Sequence, residues 1–86
     1  MKELTLFYLP GCPHCKLALR LMEELRAEEP KYRDIPVKRI DESREKALAE
    51  SYDYWYVPCF FDGKRKLFEG HMEKPDVKKV LDAALE

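Results

Sequence analysis

The chain has 86 residues, of which 16 are basic and 17 acidic, for a net charge of −1. That balance argues against a nucleic-acid surface or a polybasic membrane surface, and 45% apolar residues suit a folded interior rather than disorder. The length fits one domain, residues 1–86, with a small core. No apolar run approaches the roughly 18 residues that read as membrane-spanning. Met1-Lys2-Glu3 leads straight into patterned sequence, not into an apolar signal region. The expectation is a cytoplasmic protein, monomeric, with no nucleic-acid or membrane partner.

Leu4 to Leu9 is rich in β-formers and nearly all apolar, as in a strand covered on both faces. Pro10-Gly11 breaks it. From Cys15 the period changes: Ala18, Leu21, Met22 and Leu25 recur at helical spacing, while Lys16, Arg20, Glu23, Glu24 and Arg26 fall elsewhere on the wheel. Pro30 requires the helix to stop before it. Ile35 to Ile40 predicts a second strand with Pro36 near its start. Asp41-Glu42-Ser43 carries helix-start chemistry for a short helix through Ala47, Leu48 and Ser51.

The aromatic stretch Tyr52-Asp53-Tyr54-Trp55-Tyr56 follows; an even division between core and substrate platform is expected. Val57 to Phe61 reads as a strand, Asp62-Gly63 as a two-residue hairpin turn, and Lys64 to Glu69 as the returning strand, with its basic residues protecting an edge. Gly70-His71 ends it. Pro75 reads as the first position of a last helix whose apolar face is Val77, Val80, Leu81 and Ala84. The order is βαβαββα, an α/β fold.

Cys12 and Cys15 carry the chemistry. With Cys12 at the N-cap and Pro13 at the first helical position, the sulfur of Cys12 meets the unpaired amides and the positive end of the helix dipole. A thiolate is favoured there, below the free-cysteine value of about 8.5. Cys15 lies one turn on, on the same face, placed to resolve a mixed disulfide. A protonated His14 between them would favour the thiolate further and destabilise the disulfide. The assignment is Cys12 as nucleophile, Cys15 as resolving thiol, and Pro13 and His14 as redox-tuning residues.

Three cysteines is an odd count for a disulfide scaffold. Cys59 reads as a small core residue, or as a third thiol near the site. The alternative function is a metal or iron–sulfur module using Cys12, Cys15 and Cys59 with His71 as a fourth ligand. A second cysteine pair at metal-binding spacing is missing, so no metal is assigned.

With Cys12-Pro13-His14-Cys15, Tyr56-Val57-Pro58, the Phe60-Phe61-Asp62-Gly63 hairpin and the glycine before the last helix, the chain resembles the glutaredoxins of the thioredoxin-fold superfamily. The resemblance implies a four-stranded mixed sheet of order 2-1-3-4 with helices on both faces. It implies a cis Pro58 beside the cysteine pair, and a Val57 backbone that pairs with the substrate as a short β-augmentation. Tyr56, Val57, Pro58, Gly70 and His71 are the substrate-binding residues it points to. The partners it implies are a disulfide-containing protein or glutathione, and a thiol donor, either glutathione or a thioredoxin-reductase-type flavoenzyme. Glutathione would be a co-substrate, with no tightly bound cofactor.

Overall fold

The computed structural model describes residues 1–86. Its strands are β1 (Leu4–Tyr8), β2 (Val37–Asp41), β3 (Cys59–Asp62) and β4 (Arg65–Glu69), and its helices α1 (Pro13–Glu28), α2 (Lys46–Glu50) and α3 (Lys74–Ala84). They form one four-stranded sheet of order β2-β1-β3-β4. β1 pairs parallel to β2 and antiparallel to β3, and β3 pairs antiparallel to β4. This is the thioredoxin-like arrangement expected from the motifs.

β1 is central and buried on both faces, which is why it lacks alternation. Leu4 and Leu6 point to a core shared with Leu21, Met22 and Leu25 of α1, Phe60 of β3, and Val77, Val80, Leu81 and Ala84 of α3. Phe7 points the other way, with Ile40, Cys59 and Phe61, and that second cluster is covered by Leu48, Ala49, Tyr52 and Tyr54. Helices therefore lie on both faces, with α1 and α3 on one and the short α2 on the other. Each fully buried side chain of this size is worth about 1.5–3 kcal/mol.

Several boundaries differ from the sequence reading. β2 begins at Val37, two residues later than read; the Pro36 carbonyl still accepts a hydrogen bond from the Leu4 N–H at 2.9 Å, and Ile35 packs in the main core. α2 begins at Lys46 rather than at Asp41-Glu42-Ser43. Asp41 instead closes a local turn, accepting from the Ser43 N–H at 2.9 Å and the Ser43 hydroxyl at 2.6 Å. β3 begins at Cys59, two residues later than read, following Val57-Pro58. Asp62 pairs with Arg65, so the hairpin turn is Gly63-Lys64, with Gly63 at φ +59. In α3 Pro75 takes the second position, after Lys74.

β4 carries a bulge: Phe60 faces Phe68 but Phe61 faces Lys66, leaving Leu67 as the extra residue. Consecutive strand residues normally face opposite sides; the bulge lets both Leu67 and Phe68 pack against the main core. Arg65 and Lys66 stay exposed on the sheet edge, as the edge-strand reading required.

Candidate active site

The site lies at the end of the sheet where β1 runs out. The Cys12 N–H bonds the Leu9 carbonyl at 3.1 Å, closing the turn between β1 and α1. Cys12 is the N-cap of α1, with φ −83 and ψ 118, and Pro13 is its first residue. No acidic side chain sits in the first turn to compete for the helix's positive end. The Cys12 sulfur makes no strict capping hydrogen bond, yet the amides of Cys15 and His14 stand toward it.

The two sulfurs differ in exposure and in pKa. Partial burial raises the Cys12 pKa, but hydrogen bonds from the Cys15 backbone, the Cys15 thiol and the His14 backbone outweigh it, and the result lies below the ordinary cysteine value. Cys15 is 1% exposed, and burial pushes its thiol up to about 12. Cys15 stands one turn along α1 from Cys12, and its thiol favours the Cys12 thiolate while the Cys12 charge opposes its own ionisation. Both are free thiols.

The Val57-Pro58 peptide is cis. Phe7 pairs with Cys59, so Pro58 stands one step further along, level with the end of β1 where the Cys12 turn begins. The Gly70 N–H donates to the Pro58 carbonyl at 2.8 Å, and Gly70 has φ +90, a conformation that a side chain would strain. Trp55 and Tyr56 are exposed, at 84% and 69%. Tyr52 and Tyr54 pack on Phe7, with ring centroids 4.8 and 4.9 Å away. The aromatic stretch thus divides evenly, two rings in and two out.

An open groove of about 490 Å³ runs beside this end of the sheet, between Leu9, Glu42, Lys46, Glu50, Tyr54 and Trp55. In it the Tyr54 hydroxyl donates to Glu42 at 2.5 Å. Burial first, and Glu42 second, hold the Tyr54 phenol above its usual range. The Glu42 charge also opposes ionisation of both Cys12 and Cys15.

Cys59 stands apart from the pair. It is fully buried with Phe7, Ile40 and Phe61, and burial pushes its thiol up to about 12. No three His, Cys, Asp or Glu side chains converge where they could hold a metal ion. His71 meets His14 instead, Nδ1 to Nδ1, at 2.9 Å.

Three acidic residues here had no place among the site residues of the sequence reading, Glu42 having been read only as part of a helix start. Glu42 has just been described. Glu69 accepts from the backbone N–H groups of Trp55 and Tyr56, and Glu73 bonds His71. Each looks in the sequence like ordinary surface charge, and no spacing signals its partner.

A family model described as Glutaredoxin matches residues 4–66. The chain belongs to the glutaredoxin family. Among solved structures, this glutaredoxin is similar to one described as the structure of a malarial protein. That match has 16% identity and a TM-score of 0.70, covering 98% of this chain and 97% of that one. It is also similar to the first two thioredoxin domains of Saccharomyces cerevisiae Eps1p, at 20% identity and a TM-score of 0.54, covering 96% of this chain and 34% of that one. At such identities these likenesses show the fold alone. No curated protein sequence matches the chain significantly. No helix is long and apolar enough to cross a membrane.

Proposed function

We propose that this glutaredoxin is a dithiol–disulfide oxidoreductase of the reducing cytoplasm, acting on disulfides of proteins or of glutathione. The observation that supports the reading is the asymmetry of the pair: Cys12 caps a helix N-terminus with its pKa lowered, and Cys15, one turn on, is buried with its pKa raised.

The Cys12 thiolate attacks one sulfur of a substrate RS–SR, forming Cys12–S–SR and expelling RS⁻. Cys15 then gives up its proton to the departing thiolate. Its own thiolate attacks the Cys12 sulfur, forms the Cys12–Cys15 disulfide and expels the second RS⁻. Two electrons pass from the enzyme to the substrate. A thiol donor, either glutathione as co-substrate or a thioredoxin-reductase-type flavoenzyme, returns them by the reverse exchange. Pro13 and His14 tune the couple. Val57 offers its backbone to the substrate strand, with Pro58 and Tyr56 flanking it. Gly70 braces the Pro58 carbonyl, and His71 borders the same opening.

The test is reduction of hydroxyethyl disulfide and of insulin, coupled in parallel to glutathione with its reductase and to thioredoxin reductase. Cys12→Ser should lose activity by at least about a hundredfold, and Cys15→Ser should accumulate a mixed disulfide visible as an added mass. Full turnover by Cys12→Ser would sink the reading.

A further inference from the structure

The open groove of about 490 Å³ shares a wall with the turn that presents the nucleophile. Leu9 lines the groove, and its carbonyl holds the Cys12 N–H at 3.1 Å. A substrate whose sulfur meets Cys12 therefore passes beside the groove. Two carboxylates and one ammonium line it, from Glu42, Glu50 and Lys46.

Glu42 is the fixed charge among them. Its backbone N–H bonds the Tyr8 carbonyl at 3.1 Å, which places it level with the end of β1. Its side chain is half-buried, and Oε1 takes the Tyr54 hydroxyl at 2.5 Å while Oε2 has no hydrogen bond within the protein. Neither Glu42 nor Glu50 is in an ion pair. The other basic residues nearby are engaged: Arg44 pairs with Asp41 at 3.9 Å, and Lys64 donates to the Ser51 carbonyl at 2.8 Å with its ammonium 3.8 Å from the Tyr52 ring centre. Lys46 is exposed at the start of α2, and its single charge cannot balance two carboxylates. The Trp55 ring, 84% exposed on the same groove, has no cation over its face. A half-buried carboxylate between low-dielectric walls attracts an incoming cation more strongly than a fully solvated one does, and an open indole face adds to that attraction.

We propose that this groove selects the substrate: Glu42, with Glu50 and the Trp55 face, favours disulfides that carry a cationic group near the reacting sulfur over anionic ones. The substrate class is a protein disulfide flanked by lysine or arginine, in preference to the anionic disulfide of glutathione. The inference rests on the oxidoreductase reading. The exchange itself is unchanged: the Cys12 thiolate bonds one sulfur of RS–SR and expels RS⁻, which takes the Cys15 proton as the Cys12–Cys15 disulfide closes and expels the second RS⁻. Only the approach of RS–SR differs. The charge that opposes a thiolate on Cys12 opposes any other anion brought beside it and draws in a cation.

The experiment compares three small disulfides in a single turnover. Reduced wild type and variants are mixed with cystamine, which is cationic, hydroxyethyl disulfide, which is neutral, or dithiodiglycolate, which is anionic. The Cys12–Cys15 disulfide is counted by mass after quenching with N-ethylmaleimide. Each rate is divided by that of the same disulfide with dithiothreitol, which removes its intrinsic reactivity. At low salt wild type should prefer cystamine over dithiodiglycolate by about tenfold, and the preference should shrink toward unity in about 0.5 M salt. Glu42→Gln keeps an acceptor for Tyr54 and should cut the preference about threefold. Because the preference is a ratio within one protein, any change in Cys12 reactivity cancels. Lys46→Gln should raise the preference. Glu3→Gln makes the same change in net charge as Glu42→Gln, but at the opposite end of β1, and should leave the preference unmoved. A preference that ignores Glu42→Gln, follows Glu3→Gln equally, or persists in high salt would overturn the groove's role while leaving the oxidoreductase reading intact. Failure of all three disulfides to oxidise the cysteine pair would overturn both.

Discussion

The Glu69 carboxylate accepts a hydrogen bond from the Tyr56 N–H at 2.9 Å, and so β4 grips the loop that enters the cis Val57-Pro58 bond. The same carboxylate takes the Trp55 N–H and pairs with Lys66 at 2.9 Å. A loop with two exposed aromatic rings has little apolar burial to hold it, so backbone anchoring decides its shape. Glu69→Gln keeps the size but loses the charge-assisted bonds. The expected outcome is a KM several-fold higher for protein disulfides with kcat little changed, measured in steady-state insulin reduction.

The same residue gives a pH dependence with a definite sign. Lys66 first, and the Trp55 and Tyr56 amides next, depress the Glu69 pKa from 4.5 to about 2. A group whose folded pKa is depressed contributes stability above its unfolded pKa and loses it as pH falls through the folded one. Urea midpoints should therefore decline between about pH 4.5 and pH 2, and decline less steeply in Glu69→Gln. The Glu69 side chain is 19% exposed and still borders solvent, so screening keeps the difference small. Parallel curves for the two proteins would show that Glu69 contributes nothing there.

The thiols should react in a fixed order. Cys15 and Cys59 have pKa values of about 12, which leaves a thiolate fraction on the order of 10⁻⁵ at neutral pH. Cys12 lies below the ordinary value and is partly exposed. Iodoacetamide at pH 7 should add one carbamidomethyl group, and peptide mass spectrometry should place it on Cys12. Modification of Cys59 under native conditions would mean that its apolar cluster opens far more readily than its burial implies.

Much of this was legible in the sequence because local chemistry and global fold agree. The helix face of Ala18, Leu21, Met22 and Leu25, the break at Pro10-Gly11, and the proline after Cys12 all state their structural role by residue type. Boundaries failed where a side chain competed with the backbone. Asp41 spent its helix-start chemistry on an Asx turn with Ser43, and the β4 bulge at Leu67 has no signal in Leu67-Phe68 alone. Tyr32, in the single 3-10 turn Pro30–Tyr32, and Met72, between β4 and α3, are fully buried where no periodicity marks them as core, and Ile35, read as strand, is buried just before β2. At the site, the lowered Cys12 pKa follows from helix-start physics and could be read directly, whereas the raised Cys15 pKa comes from burial that only the fold shows. The Glu42–Tyr54, Glu69–Tyr56 and His14–His71 contacts join residues 12, 13 and 57 positions apart, and only the folded chain reveals them.

Glu42 should restrain the nucleophile. Its charge opposes the Cys12 thiolate while its carboxylate holds the Tyr54 hydroxyl. Glu42→Gln removes the charge and keeps an acceptor for Tyr54. The Cys12 thiolate fraction at pH 6 to 7, followed by its absorbance at 240 nm, should rise by about two- to threefold, the scale of one partly screened charge. A fall would mean that Glu42 acts on Cys12 chiefly through Tyr54 rather than through its charge.

Tyr32 closes the far end of the core and separates packing from hydrogen bonding. Its ring is fully buried, while its hydroxyl donates to Asp82 at 2.5 Å and accepts from Lys78 at 2.8 Å. Asp82 and Lys78 both reach solvent, so in Tyr32→Phe they can turn to water, and the loss should be about 1 kcal/mol, one net hydrogen bond. Tyr32→Ala leaves a cavity against Ile35 and Leu81, residues of the same cluster, and should cost about 3–5 kcal/mol, as for other large aromatic truncations. In a core this small, that can exceed the total stability. Urea unfolding of the two variants measures the ratio. If Tyr32→Phe proved as damaging as Tyr32→Ala, the link from the turn at Pro30–Tyr32 to α3 would depend on the hydroxyl and not on the ring.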